Sequence, residues 1–273
     1  MSRYRKRKQA TKRKNLLGIL LIFSVSCIVL LLAFFRYELK STQTVFDPET
    51  LCPIDSASPK YIALVFDKSD TYNKVQQYFL KRYFSEFKNR LSPGTQVSLY
   101  VIDDMKDKQI SPDFVVCAPR TGDDANAFYE NPRRIRQRWQ TQFEQPLDNA
   151  IEGFLQAGKS DFSPIMEILQ VIALTAFPPI DVGLAEKQII IISDMLHHTP
   201  EWSHYRGQMD FSNLEKTSYY QRISTDLKNA EVNILYVRRE GMDKLQNKRH
   251  AYFWADYIKA IGGRVTLIEK IDG

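Results

Sequence analysis

The hydrophobic positions of this chain fall into three patterns, each predicting a different element. The first is an unbroken run: "LLGILLIFSVSCIVLLLAFF", Leu16–Phe35, has 20 residues without a charge. At about 1.5 Å per residue a helix of that length spans about 30 Å, the thickness of a bilayer hydrocarbon core. The second is the short apolar run between polar residues, expected of a strand buried on both faces. It occurs in "YIALVF" (61–66), "QVSLYVID" (96–103), "DFVVCAP" (113–119), "KQIIIIS" (187–193), "EVNILYVRR" (231–239) and "RVTLIEK" (264–270). The third is helical spacing. In "KVQQYFLKRYFSEFKNRL" (74–91), Val75, Phe79, Tyr83, Phe84 and Phe87 share one face, and "SPG" ends the segment. Further helices are predicted from about 131 to 155, over "SPIMEILQVIALTAF" (163–177), near Leu214–Asn229 and near His250–Ile261, the last ended by "GG".

Strands alternating with helices imply an α/β architecture. Strands 2 and 3 are separated by "DMKDKQISP", too short for a crossover helix, so they should pair antiparallel. The expected fold is a doubly wound, mainly parallel six-stranded sheet of order 3-2-1-4-5-6. Strand 3 is antiparallel, helices flank the sheet, and one N-terminal transmembrane helix precedes it. The domain plan is a basic cytoplasmic tail (1–15), the transmembrane helix (16–35), a linker or stalk (36–59) without an apolar period, and the α/β domain (60–273) of 214 residues.

Charge sharpens the topology. The tail carries eight basic residues and no acid, which keeps it in the cytoplasm and sends everything after Arg36 across the membrane. A cleaved signal peptide is the rival reading, but the run is long and ends in Phe34, Phe35, Arg36 and Tyr37 rather than at a small-residue cleavage site. Of 38 basic and 32 acidic residues, the exported part keeps 30 against 32, so the net +6 belongs to the tail. Nucleic-acid binding is therefore not expected. Outside the span only Cys52 and Cys117 carry thiols, a candidate disulfide in an oxidising compartment. No Asn-x-Ser/Thr sequon occurs, which fits a bacterial periplasm. The expected placement is a single-pass protein of the bacterial inner membrane with its main domain periplasmic.

In doubly wound sheets ligands bind beyond the carboxyl ends of the strands where strand order reverses, here between strands 1 and 4. Strand 1 ends at Asp67 and strand 4 runs into Asp194; Ser69 and Thr71 add hydroxyls after strand 1. Oxygen ligands of this kind suit a hard divalent cation, Mg²⁺ or alternatively Mn²⁺ or Ca²⁺. Taken singly, Asp67 and Ser69 also read as caps of the next helix, and Ser163, with Glu167 nearby, as another cap.

"DKSDT" resembles the Asp-x-Ser-x-Ser motif of the metal-ion-dependent adhesion site in von Willebrand factor A (VWA) domains, with Thr71 in the last position. The resemblance implies Ser163, before Pro164, as counterpart of the family's Thr, and Asp194 in "IIIISDM" as counterpart of the Asp in Thr-Asp-Gly. The implied metal ligands are Asp67, Ser69, Thr71, Ser163 and Asp194. Met195 stands where the family usually has Gly, which predicts crowding at the mouth of the site or an altered loop. The resemblance also implies a protein partner that completes the ion's shell with a Glu or Asp.

His197 and His198 follow Asp194, but adjacent histidines diverge, and His204 and His250 stand apart in sequence; a polar loop beside the site is the expectation. Arg133, Arg134, Arg136 and Arg138 read as a solvated helix face. Tyr219, Tyr220, Tyr252, Trp254 and Tyr257 read as helix packing. A haloacid-dehalogenase-type phosphohydrolase would need a second acid where Ser69 stands, and neither a Gly-x-Ser-x-Gly elbow nor a P-loop is present. The expectation is a non-enzymatic, membrane-anchored interaction module. The alternatives are a structural subunit of an envelope complex whose metal site is vestigial or stabilising, and a metal-dependent phosphohydrolase.

Overall fold

The computed structural model of the protein describes residues 22–34, 46–54, 57–69, 71–102, 111–128, 130–155, 160–177 and 185–273. Two compact units divide the chain, Met1–Val45 and Phe46–Gly273. In the first, residues 22–34 form helix α1, with exposed apolar side chains such as Ile22 and Phe23. Among the described residues no helix is long and apolar enough to cross a membrane. Residues 16–21 and 35 of the expected span, and the basic tail 1–15, lie outside them.

The second unit is built on a six-stranded sheet of β1 (Lys60–Asp67), β2 (Gln96–Ile102), β3 (Phe114–Cys117), β4 (Glu186–Ser193), β5 (Glu231–Val237) and β6 (Arg264–Ile271). Its order is β3-β2-β1-β4-β5-β6, and every neighbouring pair is parallel except β2–β3. The expected sheet is therefore present, hairpin included. Alternation along β1 sends Tyr61, Ala63 and Val65 into one hydrophobic layer and Ile62, Leu64 and Phe66 into the other. Both faces are covered, which is why the strand is apolar throughout.

Helix α2 (Lys74–Asn89) covers the Ile62 face together with α3 (Pro132–Trp139) and α4 (Gln145–Leu155). Leu80, Phe84 and Phe87 of α2 are buried, but Val75 is 61% exposed, so the buried face begins at Gln76 rather than at Val75. A π-helical turn, Gln140–Glu144, joins α3 to α4. Its reason lies in the buried set Trp139, Phe143, Leu147, Ile151 and Leu155, spaced by four throughout. An ideal α-helix would drift about 40° per such step, and the wider turn keeps the stripe on the sheet. The four arginines of α3 are exposed, as expected.

Helix α5 (Ile165–Thr175) and helix α8 (Lys248–Ala260) cover the opposite face. The single helix expected near Leu214–Asn229 is replaced by α6 (Phe211–Leu214) and α7 (Ser218–Ile223). Asp210 and Thr217 each cap a new first turn, and Lys228 and Asn229 have positive φ, so no continuous helix forms. Tyr219, Trp254 and Tyr257 are buried against α5 and the sheet, whereas Tyr252 is 67% exposed.

Cys52 and Cys117 form the expected disulfide, with Cα atoms 4.8 Å apart. The Cys117 N–H also donates to the Thr50 carbonyl at 2.7 Å, fastening part of the segment read as a linker to β3. Closing a loop of 65 residues is worth about 4 kcal/mol on the chain-entropy account.

Candidate functional site at the carboxyl ends of β1 and β4

Strand alternation places Asp67 on the face of Val65, and Ser193 on the face of Ile191. Both therefore turn toward the layer that α5 covers. Asp67 is fully buried and fully engaged. Its Oδ2 accepts from Ser193 Oγ at 2.6 Å and from Ser163 Oγ at 3.1 Å, while Oδ1 accepts the Ser69 N–H at 2.8 Å. Hydrogen bonds to a buried carboxylate are each worth about 1.5–3 kcal/mol, so one side chain ties together three segments distant in sequence. Ser163 is held in place by two-way backbone pairing with His198, both N···O distances being 3.0 Å. The Tyr72 hydroxyl lies 2.8 Å from the Asp67 carbonyl and 3.2 Å from that of Ile192, clasping the two strand ends. Burial and then the Asp67 charge hold the Tyr72 hydroxyl well above the usual range, so it stays a donor.

The capping readings of these residues do not hold. Asn73 caps α2, in a box with Gln76, and Pro164 occupies the cap position of α5 without a side-chain bond. Asp67 and Ser163 instead bond each other.

Asp194 is the second buried acid. Its Oδ1 accepts the Leu196 N–H at 2.8 Å, and its Oδ2 accepts Arg239 Nε at 3.1 Å. Burial and the neighbouring Asp67 charge push the Asp194 carboxyl up to about 6, against the pull of Arg239. Arg239 follows β5 and is itself almost fully buried. Its Nη1 donates to the Thr71 carbonyl at 2.9 Å, so one guanidinium bridges the segments after β1 and β4. Gln246 locks the arginine backbone. Its Oε1 accepts the Arg239 N–H at 2.8 Å while its Nε2 donates to the carbonyls of Val237 (2.8 Å) and Asp194 (3.1 Å).

Met195 has φ +61°, in the left-handed region where glycine is favoured. The expected crowding of the mouth does not occur, because the Met195 side chain is buried in the core layer. Its carbonyl accepts from Trp254 Nε1 at 2.9 Å and lies 2.9 Å from His250 Nε2 and 3.3 Å from His204 Nδ1. Those histidines are not isolated: their rings are 4.8 Å apart, with Nδ1 of His204 3.0 Å from Nε2 of His250. His197 is not part of a polar loop either; it is fully buried, its Nε2 3.1 Å from the Tyr219 hydroxyl. Burial pushes His197 down to about 3 and His250 to about 4, and His204 well below its usual value, so all three are neutral at pH 7. They brace the loop after Asp194. Among the described residues no group of three or more His, Cys, Asp or Glu side chains could hold a metal ion.

Of the five predicted ligands, the structure brings the side chains of Asp67 and Ser163 into contact and sets Asp194 near enough to repel Asp67. Ser69 joins through its backbone N–H, and the exposed Thr71 through its carbonyl. Sequence reasoning missed Ser193, Arg239 and Gln246. Ser193 was legible from alternation, since it shares the face of Ile189 and Ile191; nothing local marks Arg239 or Gln246.

No protein-family model matches the chain, and no curated protein does. Among solved structures, similarity extends to an aerotolerance-related membrane protein of Bacteroides fragilis NCTC 9343 with multiple mutations to serine. It is 12% identical with a TM-score of 0.34, covering 78% of this chain and 92% of that one. BatB, a conserved hypothetical protein of Bacteroides thetaiotaomicron, is 13% identical with a TM-score of 0.32, covering 78% and 89%.

Proposed function

We propose that the α/β unit is a protein-interaction module of the cell envelope, anchored through residues 16–35, whose crevice at the ends of β1 and β4 takes a divalent cation. The observation that carries the reading is the buried Asp67 carboxylate, which gathers Ser163 and Ser193 at the switch point while Asn73 caps α2. The donor set there is oxygen only, as Mg²⁺, Mn²⁺ or Ca²⁺ requires. Asp67, Ser69, Thr71, Ser163 and Asp194 would hold the ion. Bound there, it would supply a Lewis-acidic position for an anionic oxygen from a partner's Glu or Asp. With hydroxyls and carboxylates but no base assigned to activate water, recognition rather than catalysis is the role proposed.

One contact favours a second reading, a structural subunit whose polar site only braces the fold: Asp194 already has a cationic partner in Arg239. Thermal unfolding of the full chain in detergent separates the two. Millimolar Mg²⁺ or Mn²⁺ should raise the midpoint of the wild type and leave Asp67→Asn unmoved. Equal response, or none in either protein, would mean that the crevice holds no cation.

A further inference from the structure

Arg239 stands in the crevice to which a cation would also be drawn. Its guanidinium contacts Asp194 Oδ2 at 3.1 Å and the Thr71 carbonyl at 2.9 Å, thereby touching two of the five residues expected to serve an ion. Its side chain is 9% exposed and that of Asp194 3%. A buried carboxylate pair needs a positive charge nearby, because desolvation and mutual repulsion both oppose ionisation. Arg239 is the cation that the fold itself supplies. Its anchorage differs from that of a surface ion pair. The backbone N–H is bound to Gln246, and Gln246 reaches back to the Asp194 carbonyl, so the arginine and the acid share one brace.

We propose that Arg239 is the resident counter-ion of this crevice and that a divalent cation at Asp194 takes its place, so that ion binding releases the segment between β5 and α8. The inference rests on the cation reading above and adds an exchange to it. Two cations on one buried carboxylate oxygen repel, and the Leu196 N–H on Asp194 Oδ1 leaves Oδ2, where Arg239 sits, as the less occupied oxygen for an ion. An incoming ion that uses Asp194 therefore displaces the guanidinium. Displacement breaks the Thr71 contact, and the Arg239–Gln246 link loses the side-chain anchor beside it. Residues 238–247 would thus report on occupancy of the site from outside the segments that carry Asp67 and Ser163.

The test compares the full-length wild type with Arg239→Gln and Arg239→Lys in detergent, with EDTA or with millimolar Mg²⁺ and Mn²⁺. Breaking a buried pair on one side should lower the Arg239→Gln midpoint in EDTA by on the order of 10 °C. Either ion should restore it, with an apparent affinity at least tenfold above that of the wild type. Arg239→Lys keeps the charge but not the two-point bridge and should fall between. An unchanged midpoint in EDTA for Arg239→Gln would overturn the counter-ion role. Equal ion affinity in wild type and Arg239→Gln would overturn the exchange while leaving the cation site standing. A destabilised Arg239→Gln that no ion restores would overturn the cation reading and the exchange with it, leaving Arg239 a structural counter-ion. Hydrogen exchange on the wild type covers a variant that does not fold. The Arg239 amide should exchange at least tenfold faster with Mn²⁺ than with EDTA, and an unchanged rate in protein that binds Mn²⁺ would overturn the proposal.

Discussion

Replacing Met195 by alanine and by glycine separates backbone strain from packing next to the site. Met195 is fully buried, and its φ of +61° is a conformation that costs a residue with a Cβ roughly 1–2 kcal/mol. Both variants lose the buried side chain, a loss of about 2–5 kcal/mol in a core. Alanine keeps the strain. Glycine relieves it but adds about 0.5–1 kcal/mol of unfolded-state entropy. Met195→Gly should therefore be more stable than Met195→Ala by about 0.5–1 kcal/mol, whereas at an ordinary helix or strand position glycine is the worse residue by a similar amount. Urea unfolding followed by tryptophan fluorescence reads the order directly, since Trp254 donates to the Met195 carbonyl. If alanine proves more stable than glycine by 0.5 kcal/mol or more at equal m-values, the left-handed strain assigned to this loop is wrong.

Reduction of Cys52–Cys117, or their joint replacement by serine, should cost about 4 kcal/mol of unfolding free energy, read as a fall in the urea midpoint. The buried His250 titrates near 4 when folded and near 6.5 when unfolded. The unfolded chain therefore takes up its proton first, and stability should fall as pH drops from about 6.5 to about 4. Asp194, raised to about 6, works in the opposite sense over the same range, so the comparison is with His250→Gln. That variant should show a shallower fall, by about 3 kcal/mol at most; an unchanged profile would mean that His250 is not held neutral. Tyr72→Phe removes one hydroxyl shared between two strand-end carbonyls and should cost about 1 kcal/mol by urea unfolding, with ion response retained.

The sheet was legible because its central strands are buried on both faces, so β1, β4 and β5 stand out as runs of apolar residues. The short β2–β3 connection gave the antiparallel pair, and strand order gave the place where Asp67 and Asp194 approach. Contacts set by loop paths were not legible. Arg239 and Asp194 are 45 residues apart and His204 and His250 are 46 apart, and neither pairing leaves a periodicity in the chain. The helix face was misjudged at Val75 because Asn73 and Gln76 form the cap and begin the buried stripe one residue later. The divided α6–α7 region failed for a similar reason: local caps at Asp210 and Thr217 outweighed apolar spacing.

Asp67 and Ser163 are proposed to hold a cation rather than only to brace the fold. Titration of Mn²⁺ into the full-length protein, with free Mn²⁺ read by electron paramagnetic resonance, separates the two. A cation site should take up one Mn²⁺ per chain, displaced by excess Mg²⁺, with affinity reduced at least tenfold in Ser163→Ala and lost in Asp67→Asn. Free Mn²⁺ that follows total Mn²⁺ in the wild type, or binding unchanged by both substitutions, would contradict it.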